Sequence, residues 1–200
     1  MELIQQNPDI GAYLAVDEAI DHDHPVVRET AARLRSEASG AYSYAEAAFV
    51  FVRDTIPHSV DSGDMRVAWR ASDVLATRNG ICHGKSHALA ALLRAEGIPA
   101  ALCYQALADD DGTLGVLHGL IAVRLPGRDR WDRLDARGNV PPGVDAQFSL
   151  DRERLAWPVR AEFNEVDYPV LYSEPQSEVL HAMRTAADRA ELWRLLPTAL

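Results

Sequence analysis

The amino-acid sequence predicts an α+β fold, on three observations. Capped, helix-forming segments fill the first half of the chain and its tail. Between them, over 98–136, lie short apolar runs separated by turn signals, the mark of consecutive antiparallel strands. The size is also right: 200 residues, 48% of them hydrophobic, suffice for one domain whose core needs no cross-links.

Each element has its local reason. "GAYLAVDEAI" (11–20) reads as a strand leading into a turn. "DHDHPVVRETAARLRSEASG" (21–40) reads as a helix: acidic residues precede it, Pro25 suits its first turn, and Gly40 lies beyond its end. "SYAEAAFVFVRDTI" (43–56) is a second helix, with Ser43 and Glu46 spaced as a capping box and Ile56-Pro57 ending it. "HSVDSGDMRVAWR" (58–70) is polar and turn-rich. "ASDVLATRNG" (71–80) is a short helix with Ser72 as its cap. A longer helix runs over 82–96, with Ala88, Leu89, Leu92 and Leu93 as its apolar stripe; Gly97 closes it and Pro99 stops it.

"IPAALCYQAL" (98–107), "GVLHGLIAVRL" (115–125) and "DRWDRLDA" (129–136) have strand lengths, with loops at 109–112 and from 126 onward. "NVPPGVDAQF" (139–148) is irregular, and "AEFNEVDYPVLY" (161–172) is expected to be another strand. The tail over 175–196 reads as helix, with a stripe through Val179, Leu180, Met183 and Ala187. This predicts a single domain over 1–200, with a catalytic core over 42–140 and a helical extension over 174–200.

Composition narrows the function. A formal net charge of −10 argues against a basic nucleic-acid-binding face. Two cysteines, Cys82 and Cys103, cannot make a disulfide framework. The first residues, "MELIQQNPDIGAYL", lack a signal peptide's basic and apolar regions, and no apolar run has the length of a membrane span. The expectation is a cytoplasmic protein with reduced thiols, no membrane partner and no nucleic-acid partner.

The chemistry centres on Cys82. It stands at the front edge of a helix, just after Gly80, which is expected to turn the backbone sharply into that helix. The unpaired N–H groups there stabilise a thiolate, and the N–H of Cys82 can help hold an oxyanion. A thiolate of this kind needs a base. Of seven histidines, His83 and His87 share the helix but face elsewhere. His22 and His24 belong to a polar helix start, His58 precedes a polar loop, and His181 lies in the tail. His118 interrupts an apolar strand, where an imidazole must have a partner. With a two-residue turn at 126–127, His118 sits opposite Asp135. With a four-residue turn at 126–129 it faces Arg137, and Asp135 is the diagonal neighbour on the same sheet face. A three-residue turn separates the two.

Three blocks, "GICHGKSHALAALLRAEGIPA", "LHGLIAVRL" and "RWDRLDARGN", together resemble the motif blocks of the transglutaminase-like superfamily, over roughly 70–140. The flanking "RDTIPHSVDSGDMRVAWRASDVL" and "FNEVDYP" resemble a bacterial branch of it. The resemblance implies a papain-like α+β core: a nucleophile helix packed on an antiparallel sheet, with helical N-terminal and C-terminal segments. It implies Cys82 as nucleophile, His118 as base and Asp135 as orienting acid. The implied activity is a thiol-dependent amide or peptide hydrolase or acyltransferase, working through an acyl-enzyme without a cofactor. Its substrate would be a peptide, a protein or a small amide. The chain departs from the family where many relatives have an aromatic residue after the cysteine, "HAW" at the histidine and "DPT" at the aspartate. Here these are His83, "HGL" and "DAR". The large calcium-dependent cross-linking relatives carry extra β domains that this chain lacks.

The remaining residues are read as follows. Cys103 and Trp131 are core, and Lys85 and Arg94 are a solvated helix face. His58, Asp61 and Trp69 are candidates for substrate or oxyanion contact. "DHDH" (21–24) is a polar helix start with no second ligand pair, so no metal site is expected. Two other functions remain open at this point. One is a catalytically silent peptide-binding module; the more remote is a metal-binding protein built on His22, His24 and His58.

Overall fold

The computed structural model describes residues 1–109 and 112–200, so the middle of the loop expected at 109–112 lies outside the described residues. The chain begins with a short strand, β1 (Ile4–Gln5). Where the sequence predicts a strand over 11–20, a 3-10 turn forms at Ile10–Leu14 instead. The Asp9 carboxylate accepts the Gly11 N–H at 2.9 Å and so starts a turn that competes with extension. Helix α1 (Pro25–Ser36) places Pro25 in its first turn, and His24 caps it through Nδ1, which accepts the Val26 N–H. Helix α2 (Ala41–Thr55) starts earlier than expected. Gly40 is its N-cap, and Ser43 Oγ accepts the Gly40 N–H at 3.0 Å, so Ser43 fills the far half of the capping motif rather than the cap itself.

Helix α3 (Ser59–Ser62) is a single turn, and α4 (Ala71–Thr77) follows it. Ser72 lies inside α4. The capping carboxylate comes from Asp21, which accepts the Ser72 N–H at 3.0 Å and its hydroxyl at 2.5 Å. This, with the cap at His24, accounts for much of the "DHDH" stretch; His22 Nε2 lies 3.0 Å from the Leu14 carbonyl. Among the described residues no group of three His, Cys, Asp or Glu side chains is placed to hold a metal ion.

Helix α5 (Cys82–Ala95) is the centre of the molecule and is buried from Cys82 through Arg94. Leu89, Leu92 and Leu93 share one apolar cluster with Val27 and Leu34 of α1 and with Phe49 and Val52 of α2. Four further strands follow: β2 (Ala100–Ala108), β3 (Leu114–Val123), β4 (Asp132–Leu134) and β5 (Val166–Asp167). They form an antiparallel sheet in the order β4-β3-β2-β5. Leu102, Tyr104, Leu117 and Ile121 join the α5 cluster, while Ala101, Cys103, Leu120 and Ala122 pack on the other face with Tyr13. The segment 161–172 is not one strand. A 3-10 turn at Ala161–Phe163 precedes β5, and Pro169 separates β5 from β6 (Val170–Leu171), which pairs in parallel with β1. The tail divides into α6 (Ser177–Thr185) and α7 (Arg189–Leu195), because Asp188 caps a new helix by accepting the Glu191 N–H.

Lys85 and Arg94 are not solvated. Lys85 Nζ donates to the carbonyls of Ile56 and Arg53, at the C-terminal end of α2. Arg94 donates to the carbonyls of Ala15, Ala100 and Ser173. Both cations satisfy backbone oxygens that burial would otherwise leave unpaired. Among the described residues no helix is long and apolar enough to cross a membrane.

Candidate active site

The turn ahead of α5 is made at Arg78, the C-cap of α4, whose φ is +52°. Gly80 has no positive φ; its role is to pair in parallel with His58, with the Ser59 N–H donating to the Gly80 carbonyl at 3.1 Å. Cys82 is the first residue of α5, and no side chain caps that helix. The first turn also approaches other backbone closely. A Cβ at Gly84 would lie 2.7 Å from the Ala68 carbonyl oxygen, so only glycine fits there.

The β3–β4 register pairs Ile121 with Leu134 and Val123 with Asp132. Extended, it puts His118 across from Arg137, with Asp135 diagonal on the same face. This is the register of the four-residue turn, although the strands part earlier and 124–131 form the connection. His118 Nε2 lies 2.8 Å from Asp135 Oδ2. Asp135 also accepts the Ala156 N–H at Oδ2 and the Arg137 N–H at Oδ1, each at 3.0 Å. Burial would push its carboxyl up, but the His118 charge and hydrogen bond, and then these two N–H groups, hold it below the usual range. The carboxylate therefore accepts the Nε2–H, which leaves Nδ1 for Cys82, whose charge acts on the same ring. Burial alone would pull His118 down. The Asp135 charge and then Cys82 outweigh it and push His118 up to about 10. Trp157 stands edge-on to His118, with ring centroids 5.2 Å apart.

The other cysteine has none of this. Cys103 lies in mid-strand, packed with Leu120 and Tyr13 away from α5, and burial pushes its thiol up to about 12. His83 is also buried: its Nε2 lies 2.8 Å from the Leu117 carbonyl, and burial pushes it down to about 3. The ring fills the space above Gly119, where a Cβ would come within 2.4 Å of Nδ1. Two departures from the family pattern, His83 and "HGL", are thus one packing arrangement.

A cavity of about 390 Å³ opens beside Cys82 and His118. Val60, Leu107, Val116, Trp157 and Trp193 give it apolar walls, and Arg137, Arg160 and Glu165 also line it. Arg160 is paired with Glu165, and Arg137 with Asp61. Of the other residues singled out in the sequence, His58 lines the cavity. Asp61 reaches it only through Arg137. Trp69 stands elsewhere, packed against the main core, with its carbonyl 2.7 Å from His87 Nδ1. Sequence reasoning missed Arg137, Trp157 and Trp193 as wall residues. Only Arg137 left a signal, since the four-residue-turn register already set it opposite His118.

A helix-borne thiol, a strand-borne imidazole and a buried carboxylate in line, on a helix-against-sheet frame, define a papain-like α+β protein. The chain belongs to the transglutaminase-like superfamily, whose core matches residues 28–136, more than half of its length. Among solved structures, it is similar to a proposed cysteine protease from Cytophaga hutchinsonii. The identity is 21% and the TM-score 0.54, covering 66% of this chain and 43% of that one. It is also similar to the periplasmic domain of TgpA from Pseudomonas aeruginosa, with 20% identity and a TM-score of 0.44, covering 64% and 47%. The chain thus spans less than half the length of either solved protein. No curated protein matches it.

Proposed function

We propose that the protein is a thiol-dependent amide or peptide hydrolase or acyltransferase. Cys82 attacks an amide or ester carbonyl, and the imidazolium of His118 protonates the leaving atom. The resulting acyl-enzyme is resolved by water or by an amine. Hydrolysis is the leading outcome, since it needs no second substrate. The observation that carries the reading is the line of Cys82, His118 and Asp135. Asp135 orients the His118 ring and favours its cationic form, and a cation close to a thiol stabilises the thiolate. Cys82 is a free thiol, as a nucleophile must be.

The test is labelling of the native protein with sub-stoichiometric iodoacetamide, followed by mass spectrometry. Cys82 should be labelled first and Cys103 scarcely at all. Equal labelling, or preference for Cys103, would remove Cys82 as the nucleophile.

A further inference from the structure

We infer that the cavity beside Cys82 is a subsite for an apolar acyl group, and that Trp193 on α7 determines which such groups it takes. This rests on the acyl-transfer reading above and names the substrate class for it.

The apolar walls come from five separate parts of the chain: Val60 of α3, Leu107 of β2, Val116 of β3, Trp157 in the long segment after β4, and Trp193 of α7. Two of them are poorly covered by the fold itself. Val60 and Trp193 each keep 41% of their surface exposed, so native packing does not account for a large apolar residue at either place. A ligand seated in the cavity would cover both. At about 390 Å³ the space lies at the lower end of the range for small-molecule pockets, about 300–1,000 Å³. It suits one substituent of a substrate, held beside the reacting thiol.

The polar groups around it have no charge to spare for a ligand. Arg137 holds Asp61 through both terminal nitrogens, and its guanidinium carbon stands 5.3 Å from the centre of the Trp157 ring. Arg160 donates to Glu165 from Nε at 3.0 Å and from Nη2 at 2.7 Å, and Glu165 also accepts the Ala108 N–H at 3.0 Å. His58 caps α3 through Nδ1, and burial, then the charges of Arg137 and Lys85, push it down to about 2, so its ring is neutral. Outside the triad, the other charged side chain of the described lining is Asp109, which is exposed. A charged acyl group would find both cations already neutralised. A carboxamide would lose its water against two indoles, whereas an apolar group needs no partner.

Trp193 is a fixed wall. Leu192 and Leu196, on either side of it, join the main core. At the start of α7 the Arg189 N–H donates to the Met65 carbonyl at 2.8 Å, and Arg189 Nε to the Asp64 carbonyl at 2.9 Å. Past its end, the Pro197 carbonyl accepts the Leu117 N–H at 2.8 Å, one residue before His118. The helix is thus tied to the segment after α3 at one end and to the His118 strand at the other. None of these ties uses the indole, so the fold survives its removal while the cavity loses a wall.

Two reagent series on the full chain test this. p-Nitrophenyl esters from acetate to hexanoate acylate Cys82, whereas N-alkylmaleimides from methyl to hexyl add to its thiolate with no acyl transfer. Each rate is divided by that of the same reagent with N-acetylcysteine. Expected in both series is a rise of about two- to fourfold per added methylene, fourfold being full burial of the group. Trp193→Ala should cut the logarithmic slope by about half or more, and Trp193→Phe should restore most of it. Should Trp193→Ala fold poorly, the same flattening is expected of Val60→Asn. The p-nitrophenyl ester of N-acetylphenylalanine should also react faster than that of N-acetylglutamine. Whether the hexanoate or the phenylalanine ester is the faster distinguishes a fatty acyl group from an apolar amino-acid residue as the source. Series flat in both reagents, or a glutamine ester that outruns the phenylalanine one, overturn the apolar subsite and leave acyl transfer standing. A slope unchanged in Trp193→Ala overturns the role of Trp193. No acylation by any ester, with the maleimide series still rising, sinks acyl transfer and the acyl assignment with it.

Discussion

Gly119→Ala is the sharpest test of how the site is packed. Glycine within a strand ordinarily costs about 0.5–1 kcal/mol relative to alanine, so with free space this substitution would stabilise the protein. Here the new Cβ would lie 2.4 Å from His83 Nδ1, 3.0 Å from Cε1 and 3.2 Å from Cγ. The ring must retreat by about 1 Å to reach ordinary contact. It has nowhere to go: it is buried in the first turn of α5, packs near Tyr104 and is hydrogen-bonded to the Leu117 carbonyl. Overpacking costs about 1–3 kcal/mol, and a broken buried hydrogen bond a further 1–3 kcal/mol or so. The expected net loss is about 2–5 kcal/mol, or a fall in Tm of roughly 5–15 °C for a chain of this size. Urea and thermal denaturation of Gly119→Ala, His83→Ala and the double variant measure it. In the double variant the clash is gone, so it should be more stable than the sum of the singles by at least about 1.5 kcal/mol. A Gly119→Ala protein as stable as wild type, or simple additivity, would refute the argument.

Three other outcomes are expected. Asp135→Asn removes the charge that does most to offset burial at His118, so alkylation of Cys82 at pH 7 should slow by about tenfold or more, and His118→Ala should slow it further. No slowing at pH 7 would sink the mechanism even with the geometry intact. Burial pushes Lys85 from 10.5 down to about 7, so between those values the unfolded chain holds the extra proton on this residue and the Lys85 contribution to stability rises with pH, against the fall contributed by His118. Lys85→Met should flatten that rise by up to about 2 kcal/mol between pH 7.5 and 9.5, as read from urea midpoints, and an unchanged slope contradicts it. EDTA should leave the melting temperature unchanged; a loss restored by one metal would revive a metal-binding role.

The geometry that matters most was legible because it depends on parity. A strand has a period of two, so any even register puts His118 and Asp135 on one face, and the observed pairing of Val123 with Asp132 is even. The front of α5 was legible for a similar reason, since Gly97 and Pro99 bracket one end and the apolar spacing sets the rest. Lys85 and Arg94 were misread because periodicity assigns charge to solvent. Their acceptors, at 53, 56, 15, 100 and 173, come from distant parts of the chain, and no local pattern announces them. Ser72 was misread likewise: the carboxylate that caps α4 is Asp21, 51 residues away. The link between His83 and Gly119 becomes visible only once helix and strand touch.

These misses have an order that bears on function. Cys82, His118 and Asp135 all lie within residues 28–136, the part that matches the family. They sit on a buried helix and a paired strand or one residue beyond it, where backbone hydrogen bonds fix position closely. Trp157, Arg160, Glu165 and Trp193, which wall the cavity, all lie after that region, in irregular chain or on α7. Loops and terminal elements tolerate change that a core helix does not. That part of the cavity wall therefore lies outside the region that matches the family, whereas Val60, Leu107 and Val116 lie within it. By this division, substitution of Trp157 or Trp193 should alter which acyl groups are accepted, whereas substitution in the triad should alter the rate with all of them.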